Sequence, residues 1–192
     1  MHKYLPNSFV YLDQYNSFIF KNNNINLGII YRNYRSKNRE IELSRISKAC
    51  RRKKIKLYVS NSMRLALKFK ADGVYIPSFN KRKRYKNIEK KNLLIIGSAH
   101  NQKEIHEKIK QNCSAVFLSP IFYVDKRNSY LGIYKFNILS INNNVSFYAL
   151  GGINKNNMTK LSLLNIKGFG GISWVKKKPA YKRPVFLKNK FF

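Results

Sequence analysis

The feature that most restricts the fold is a regular alternation of short apolar runs with longer polar stretches. The runs occupy residues 8–12, 27–31, 55–59, 72–76, 93–97, 114–118, 146–150 and 168–172. Nearly continuous apolar runs of this length predict strands that are buried on both faces. Such strands are typical of a parallel sheet covered by helices.

The polar stretches between the runs carry helix patterns. In residues 39–54, the apolar residues recur at roughly helical spacing, and the stretch ends in basic residues that suit a helix C-terminus. These apolar residues are Ile41, Leu43, Ile46, Ala49 and Cys50. Residues 101–113 open with Asn101, followed three residues later by Glu104. This is the capping-box arrangement of a helix N-terminus. Strands and helices are therefore expected to alternate.

Eight strands alternating with helices predict a (β/α)8 TIM barrel, with a doubly wound open sheet as the alternative. The 192 residues fall short of the roughly 250 of a typical barrel. Residues 13–26 leave little room for a helix after the first strand. We therefore expect a trimmed, single-domain barrel over residues 1–174. The basic, aromatic residues 175–192 form a tail that is either solvated and partly docked on the barrel or in contact with RNA or a membrane surface.

The chain is strongly basic, with 39 Lys and Arg against 8 Asp and Glu and a formal net charge of +31. This balance favours a polyanion partner such as RNA. The cations are spread along the chain, however, as an A+T-rich coding sequence would also produce. The absence of a signal-peptide layout and of a membrane-length apolar run predicts a cytoplasmic protein without a membrane span. Cys50 and Cys113 lack metal-site spacing and are expected to be buried thiols.

Glycines cluster at the ends of the last two predicted strands. Gly151 and Gly152 follow the seventh run, directly before a polar stretch that reads as a helix start, and residues 170–173 close the eighth. In barrels the loops after these strands often bind phosphate, because glycine backbones present N–H groups to an anion. The alternative is that the glycines serve only tight turns.

The motifs in this order resemble those of a known family. "LYVSNSMRLALKFKADGVYI", "IIGSAHNQKEI", "AVFLSPIF", "YALGGINKNN" and "GFGGIS" look like consecutive motifs of thiamine phosphate synthase and its relatives, including thiazole tautomerase. The resemblance spans roughly residues 27–174. It implies a TIM-barrel transferase of thiamine biosynthesis that joins hydroxymethylpyrimidine diphosphate to thiazole phosphate and releases pyrophosphate, with Mg²⁺ as cofactor.

The resemblance also implies roles for particular residues. Arg32, in "YRNY", matches a phosphate-pairing arginine, although Tyr34 replaces a family lysine. Ser98 is expected near the pyrimidine and the diphosphate, and Lys126 and Arg127 supply charge where the family carries threonines and a lysine. The implied thiazole-phosphate cup comprises Gly151, Gly152, Gly171, Ile172 and Ser173.

The resemblance departs from the family at the implied metal site. The two Mg²⁺-binding aspartates of the family align with Asn61 and Asn80, and the motif histidine aligns with Tyr75. Amide oxygens carry no charge, and Mg²⁺ favours carboxylate and phosphate oxygens. Asp125 is the one acidic residue near the expected mouth that could substitute for the missing aspartates. Pro120 stands at the histidine position of thiazole tautomerase, which argues against that activity.

These observations leave three functions open. The first is the synthase reaction on two small phosphorylated substrates. The second is a family barrel that binds a phosphorylated ligand but has lost or changed the reaction. The third is binding of RNA or another polyanion.

Overall fold

A computed structural model describes residues 4–21, 26–82, 92–125, 129–141 and 143–171. Eight parallel strands form a closed barrel in chain order, with the last strand paired to the first. This confirms the barrel and excludes the open sheet. Each strand overlaps its predicted run with ends shifted by two residues at most. The strands are β1 Ser8–Leu12, β2 Leu27–Tyr31, β3 Lys56–Ser60, β4 Gly73–Ile76, β5 Leu94–Ala99, β6 Ala115–Leu118, β7 Ser146–Leu150 and β8 Gly168–Gly171.

Five α-helices within the described residues cover the barrel. They are α1 Ser17–Lys21, α2 Arg39–Lys53, α3 Met63–Lys68, α4 Gln102–Lys110 and α5 Gly132–Ser140. The first has only five residues, as the short first connection predicted. The predicted N-terminus of α4 is also confirmed, since the Asn101 side chain accepts a hydrogen bond from the backbone N–H of Glu104 at 3.0 Å.

The chain after β7 differs from the sequence-based expectation of a helix start. A 3₁₀ segment, Met158–Leu163, occupies this place. The backbone N–H of Asn154 donates to the Asn157 side chain at 2.8 Å, and that of Asn156 donates to the Asn154 side chain at 2.9 Å. These are local bonds between asparagine side chains and nearby backbone N–H groups, which favour turns in competition with regular helix. The segment therefore forms turns and 3₁₀ geometry.

The interior of the barrel is filled mainly by aromatic rings. Strand residues alternate, so that Phe9 and Tyr11 point inward while Val10 and Leu12 pack against the outer layer. Glycine on a neighbouring strand makes room for these rings. A Cβ atom on Gly28 would lie 2.5 Å from the Phe9 ring. The inward rings are Phe9, Tyr11, Tyr58, Tyr75, Phe117 and Tyr148.

The N-terminal end of the barrel carries stabilising contacts. Asp72, directly before β4, accepts hydrogen bonds from Lys56 Nζ at 2.8 Å and from the backbone N–H of Leu57 at 2.9 Å. Cys50 and Cys113 are buried, as expected. No helix within the described residues is long and apolar enough to cross a membrane. The predicted boundary at residue 174 and the tail 175–192 lie outside these residues.

Candidate functional site

The candidate site lies at the C-terminal end of the strands, where barrel enzymes carry their chemistry. Two tyrosines, Tyr11 and Tyr75, form part of its floor, with ring centroids 5.5 Å apart. The guanidinium of Arg32, just after β2, lies over the Tyr11 ring at 5.2 Å from its centroid. This is cation–π distance. Arg32 is exposed, so its charge faces the mouth of the barrel.

The floor is neutral and polar. Burial raises the pKa of Tyr11 well above its usual value, and the neighbouring Tyr75 raises it further, while the charge of Arg32 opposes both effects. Burial likewise raises the pKa of Tyr75, against a hydrogen bond from Ser98. Both hydroxyls therefore keep their protons at neutral pH. Among the described residues, the buried Tyr11 hydroxyl has no hydrogen-bond partner of good geometry.

Ser98 links the end of β5 to the loop after β4 at the floor of the mouth. It is buried at the end of β5, and its Oγ accepts a hydrogen bond from the backbone N–H of Ser78 at 3.1 Å. Because Ser78 belongs to the loop after β4, Ser98 ties that loop to the barrel. Its hydroxyl hydrogen is directed to the Tyr75 hydroxyl of the floor, and this bond lowers the pKa of Tyr75 against the effect of burial.

One wall of the mouth is built from the loops after β2, β3 and β4. The Tyr34 hydroxyl lies 2.6 Å from Ser60 Oγ, and Arg39 Nη2 donates to the Ser60 carbonyl at 2.7 Å. Phe79 packs edge-on against Tyr34 with centroids 6.1 Å apart and remains 66% exposed. The wall therefore ends in an aromatic ring that is accessible to a ligand.

Asn61 and Asn80, the two positions aligned with metal ligands, contact each other directly. Asn80 Nδ2 donates to Asn61 Oδ1 at 2.5 Å. Asn61 adopts a left-handed backbone with φ 58°, which asparagine tolerates well. These residues help to line a cleft of about 500 Å³ with Phe79, Lys81 and Arg82.

This donor set does not fit Mg²⁺. The ion requires near-octahedral oxygen ligands, usually including carboxylates, whereas here an amide NH₂ group faces the oxygen that would bind the ion. Within the described residues there is also no cluster of three or more His, Cys, Asp or Glu side chains that would hold a metal.

The glycine pair after β7 forms a tight turn against the loop after β6. Gly151 and Gly152 have φ values of 91° and 72°, in the region that favours glycine. A Cβ atom on Gly152 would lie 2.5 Å from the carbonyl oxygens of Phe122 and Tyr123. The turn therefore requires glycine for its own geometry, and its predicted phosphate role stays a prediction. Gly171 ends β8 opposite Val10.

The fold thus brings most of the predicted site residues to one end of the barrel. Arg32, Ser98, Asn61 and Asn80 follow or end β2 to β5, and the glycines end β7 and β8. Direct contact links Asn61 with Asn80. Lys126, Arg127, Ile172 and Ser173 lie outside the described residues.

His100, which follows β5, contacts Glu104 in the first turn of α4. Its Nδ1 lies 2.7 Å from Glu104 Oε2, and the same oxygen accepts the His100 backbone N–H at 2.8 Å. Both contacts fix the start of α4.

Several contributors to the site were not predicted; besides Tyr11 and Lys108 they include Phe79, Lys81 and Arg82, which line the cleft. Tyr11 was apparent only as part of an apolar run, and its place in the floor follows from the inward direction of alternate strand residues. Lys108 was not among the predicted site residues, yet it is fully buried and bonds the loop after β4. Its spacing from the apolar residue Ile105 was the available signal, because both lie on the inner face of α4.

Known proteins resemble the chain in sequence and fold. Residues 25–175 match the family model described as thiamine monophosphate synthase. The thiamine-phosphate synthase of Prochlorococcus marinus subsp. pastoris is 30% identical over 123 residues, which are 62% of this chain and 35% of that protein. The same enzyme from a second Prochlorococcus marinus strain is 30% identical over 134 residues, 66% of this chain and 37% of that protein. The chain spans little more than a third of the length of these curated relatives.

A solved structure shows the same fold. Thiamine phosphate pyrophosphorylase from Pyrococcus furiosus superposes with a TM-score of 0.71 at 18% identity, covering 88% of this chain and 86% of that one.

Proposed function

The chain belongs to the thiamine monophosphate synthase family, and from that premise we propose that it joins hydroxymethylpyrimidine diphosphate to thiazole phosphate. In this reaction the bond between the pyrimidine methylene carbon and the diphosphate oxygen breaks. Pyrophosphate leaves with the electron pair, and the thiazole nitrogen forms the new C–N bond. The protein's task is to neutralise the leaving group and to hold the two substrates in line.

The observation that carries this proposal is the position of Arg32. Its guanidinium lies over the Tyr11 ring, 5.2 Å from the centroid, so it projects from the floor of the mouth as an oriented cation. A guanidinium offers several N–H donors in a fixed plane, which suits phosphate oxygens. We assign Arg32 to a substrate phosphate group.

The uncharged hydroxyl groups at the floor of the mouth support the other requirement of the reaction, which is to hold the two substrates in line. Ser98 and Tyr75 present hydroxyl groups that stay protonated near neutral pH, because burial raises the pKa of Tyr75. Such groups orient a polar heterocycle without adding a charge that would compete with the developing cation. In the proposal, Ser98 contacts the pyrimidine side of the substrate, and the glycine cup holds the thiazole phosphate.

Two other functions follow from specific observations. The amide pair at the metal-ligand positions favours a family barrel that binds a phosphorylated ligand but has lost or changed the reaction. The net charge of +31 favours polyanion binding. We place polyanion binding behind the synthase reaction because it does not account for the matched motifs over residues 25–175. We place the changed family barrel second because Arg32 and Ser98, which the resemblance assigns to the substrates, are retained.

The test is synthesis of thiamine phosphate from the two substrates, followed by fluorescence after oxidation, in MgCl₂ and separately in EDTA. Arg32→Ala is expected to lower kcat/KM about 100-fold or more, the usual effect of removing a donor to developing charge. Arg52→Ala is the matched control. It removes the same charge from an exposed position in the last turn of α2, away from the mouth, and should leave the rate unchanged.

Two results would overturn the proposal. One is the absence of product from the wild-type protein in both buffers. The other is an equal loss of rate in Arg32→Ala and Arg52→Ala, which would trace the effect to overall charge.

A further inference from the structure

The amide pair at the mouth has a defined orientation. The backbone N–H of Arg82 donates to Asn80 Oδ1 at 2.9 Å, so Asn80 Nδ2 is the group that faces Asn61, and it donates to Asn61 Oδ1 at 2.5 Å. Both side-chain oxygens of the pair thus already accept hydrogen bonds from the protein. A cation at this position would have to break both bonds and would gain no charged ligand in return.

The loop that carries Asn80 is fixed from below by a buried polar cluster. Lys108, fully buried on α4, donates from Nζ to the carbonyls of Pro77 and Asn80 and to Gln111 Oε1, each at 2.9 Å. Gln111 Nε2 donates to the carbonyls of Asn80 and Arg82 at 2.8 and 3.0 Å. Lys108 and Gln111 therefore hold the backbone on both sides of the Asn80 side chain, from which that side chain reaches Asn61.

Cationic side chains lie beside the amide pair. Lys81 and Arg82 line the cleft beside the amide pair and are exposed, and Arg32 lies over the floor. The described lining of the cleft contains no carboxylate. A diphosphate group entering the mouth thus meets positive side chains and amide N–H groups, and no anionic side chain needs to be bridged to it by a metal.

We propose that this mouth binds the diphosphate group of its substrate without a divalent cation, with Lys81, Arg82 and the Asn61–Asn80 amide pair in the place of the metal. The inference rests on the proposed function for the identity of the substrate. It concerns only how the anionic group is held. The ligand chemistry is that of a pyrophosphate or an organic diphosphate.

The probe is inorganic pyrophosphate, titrated calorimetrically into the full chain at about 150 mM NaCl, where diffuse surface charge is largely screened. We expect the wild-type Kd in EDTA to equal that in MgCl₂ within about threefold, since no protein carboxylate calls for the ion. Asn61→Asp combined with Asn80→Asp should weaken binding in EDTA at least about tenfold, because two like charges then face the anion. Added Mg²⁺ should restore binding in this variant.

The matched control is Asn92→Asp combined with Asn112→Asp. Asn92 and Asn112 are exposed and have φ values of 58° and 57°, close to the 58° of Asn61. They precede β5 and β6 at the opposite end of the barrel. The control has the same charge change and should keep the wild-type Kd. Equal losses in both double variants would show that net charge alone binds the probe and would overturn the proposal.

Binding of pyrophosphate to the wild-type protein only in MgCl₂, or in neither buffer, would also overturn it. The synthase assay separates this outcome from failure of the proposed function. Product formation together with pyrophosphate binding only in MgCl₂ supports the synthase and removes the metal-independent site. Pyrophosphate binding in EDTA without product in either buffer supports the site and removes the synthase.

Discussion

At the scale of single residues, two inward tyrosines differ in one hydrogen bond. Tyr148 donates its hydroxyl to the Pro6 carbonyl at 2.9 Å, whereas the buried Tyr58 hydroxyl has no partner among the described residues. An unsatisfied buried polar atom costs stability, and a satisfied one contributes modestly. These two otherwise similar positions therefore allow a paired test of the barrel interior.

We expect Tyr58→Phe to raise the free energy of unfolding by about 1 kcal/mol and Tyr148→Phe to lower it by about the same amount. Both substitutions keep the ring, so the packing against Phe9 is preserved in each. Urea unfolding followed by circular dichroism gives both values. If both substitutions lower the free energy of unfolding by the same amount, the Tyr58 hydroxyl has a hydrogen-bond partner, such as an internal water.

Individual site residues could be identified from sequence in part. The motifs pointed to Arg32, Ser98, Asn61 and Asn80, and the barrel places these four at its C-terminal end. Sequence did not reveal that the two asparagines bond to each other, because that contact depends on the orientation set by the Arg82 backbone N–H. The filling of the interior by aromatic rings was likewise hidden, since an apolar run does not show which face each residue takes.

At the scale of elements, α4 couples the outer layer to the mouth through Lys108. Burial lowers the pKa of Lys108 below its ordinary value of 10.5, yet its Nζ makes three hydrogen bonds at 2.9 Å. Burial thus makes the charged form of Lys108 unfavourable, yet its hydrogen bonds are needed by the buried carbonyl groups of the loop after β4.

We expect Lys108→Met to lower the free energy of unfolding by about 2 kcal/mol near neutral pH, because it leaves buried acceptors without a donor. The pH dependence has a definite sign. With its pKa lowered in the folded state, Lys108 loses its proton on folding as the pH rises toward 10.5, so the unfolded state binds more protons there. The stability difference between wild type and Lys108→Met should therefore grow with pH over that range.

The measurement is urea unfolding of both proteins at about pH 7 and about pH 9.5. Lys110→Met, an exposed substitution on the same helix, is the control and should change stability little at either pH. A difference between wild type and Lys108→Met that shrinks as the pH rises would contradict the assignment of a lowered pKa.

Elements with strong local patterns were predictable, and others were not. α4 was found from Asn101 and Glu104 because its cap is formed by residues three apart in the chain. The segment after β7 differs from its predicted helix start, because its asparagine side chains bond nearby backbone N–H groups in turns, which apolar spacing does not reveal.

At the scale of the whole molecule, the closed barrel followed from the count and spacing of apolar runs, because eight parallel strands with short helical crossovers have few other arrangements. The length of the first connection was also readable. The sequence did not show why the chain is so basic, because a compositional bias and a polyanion-binding site would produce the same net charge.

The structure gives this charge little internal neutralisation. Four of the acidic residues, Glu40, Glu42, Asp72 and Glu104, already pair with basic side chains or with His100. Among the described residues, exposed cations stand at both ends of the barrel, with Lys81 and Arg82 at the mouth and Arg51 and Arg52 at the end of α2. A charge of this kind attracts polyanions at long range without fixing a register or a sequence preference.

We therefore expect a single-stranded RNA oligonucleotide to bind only at low salt. The logarithm of the association constant should fall linearly with the logarithm of salt concentration, with a slope of about −0.7 for each phosphate contacted, and binding should vanish near about 150 mM. Fluorescence anisotropy of a labelled oligonucleotide over a NaCl series measures this slope. Binding that persists at physiological salt, or that distinguishes one sequence from its scrambled control, would mean that the cations form an organised nucleic-acid surface. Polyanion binding would then take precedence over the synthase reaction as the function of the chain.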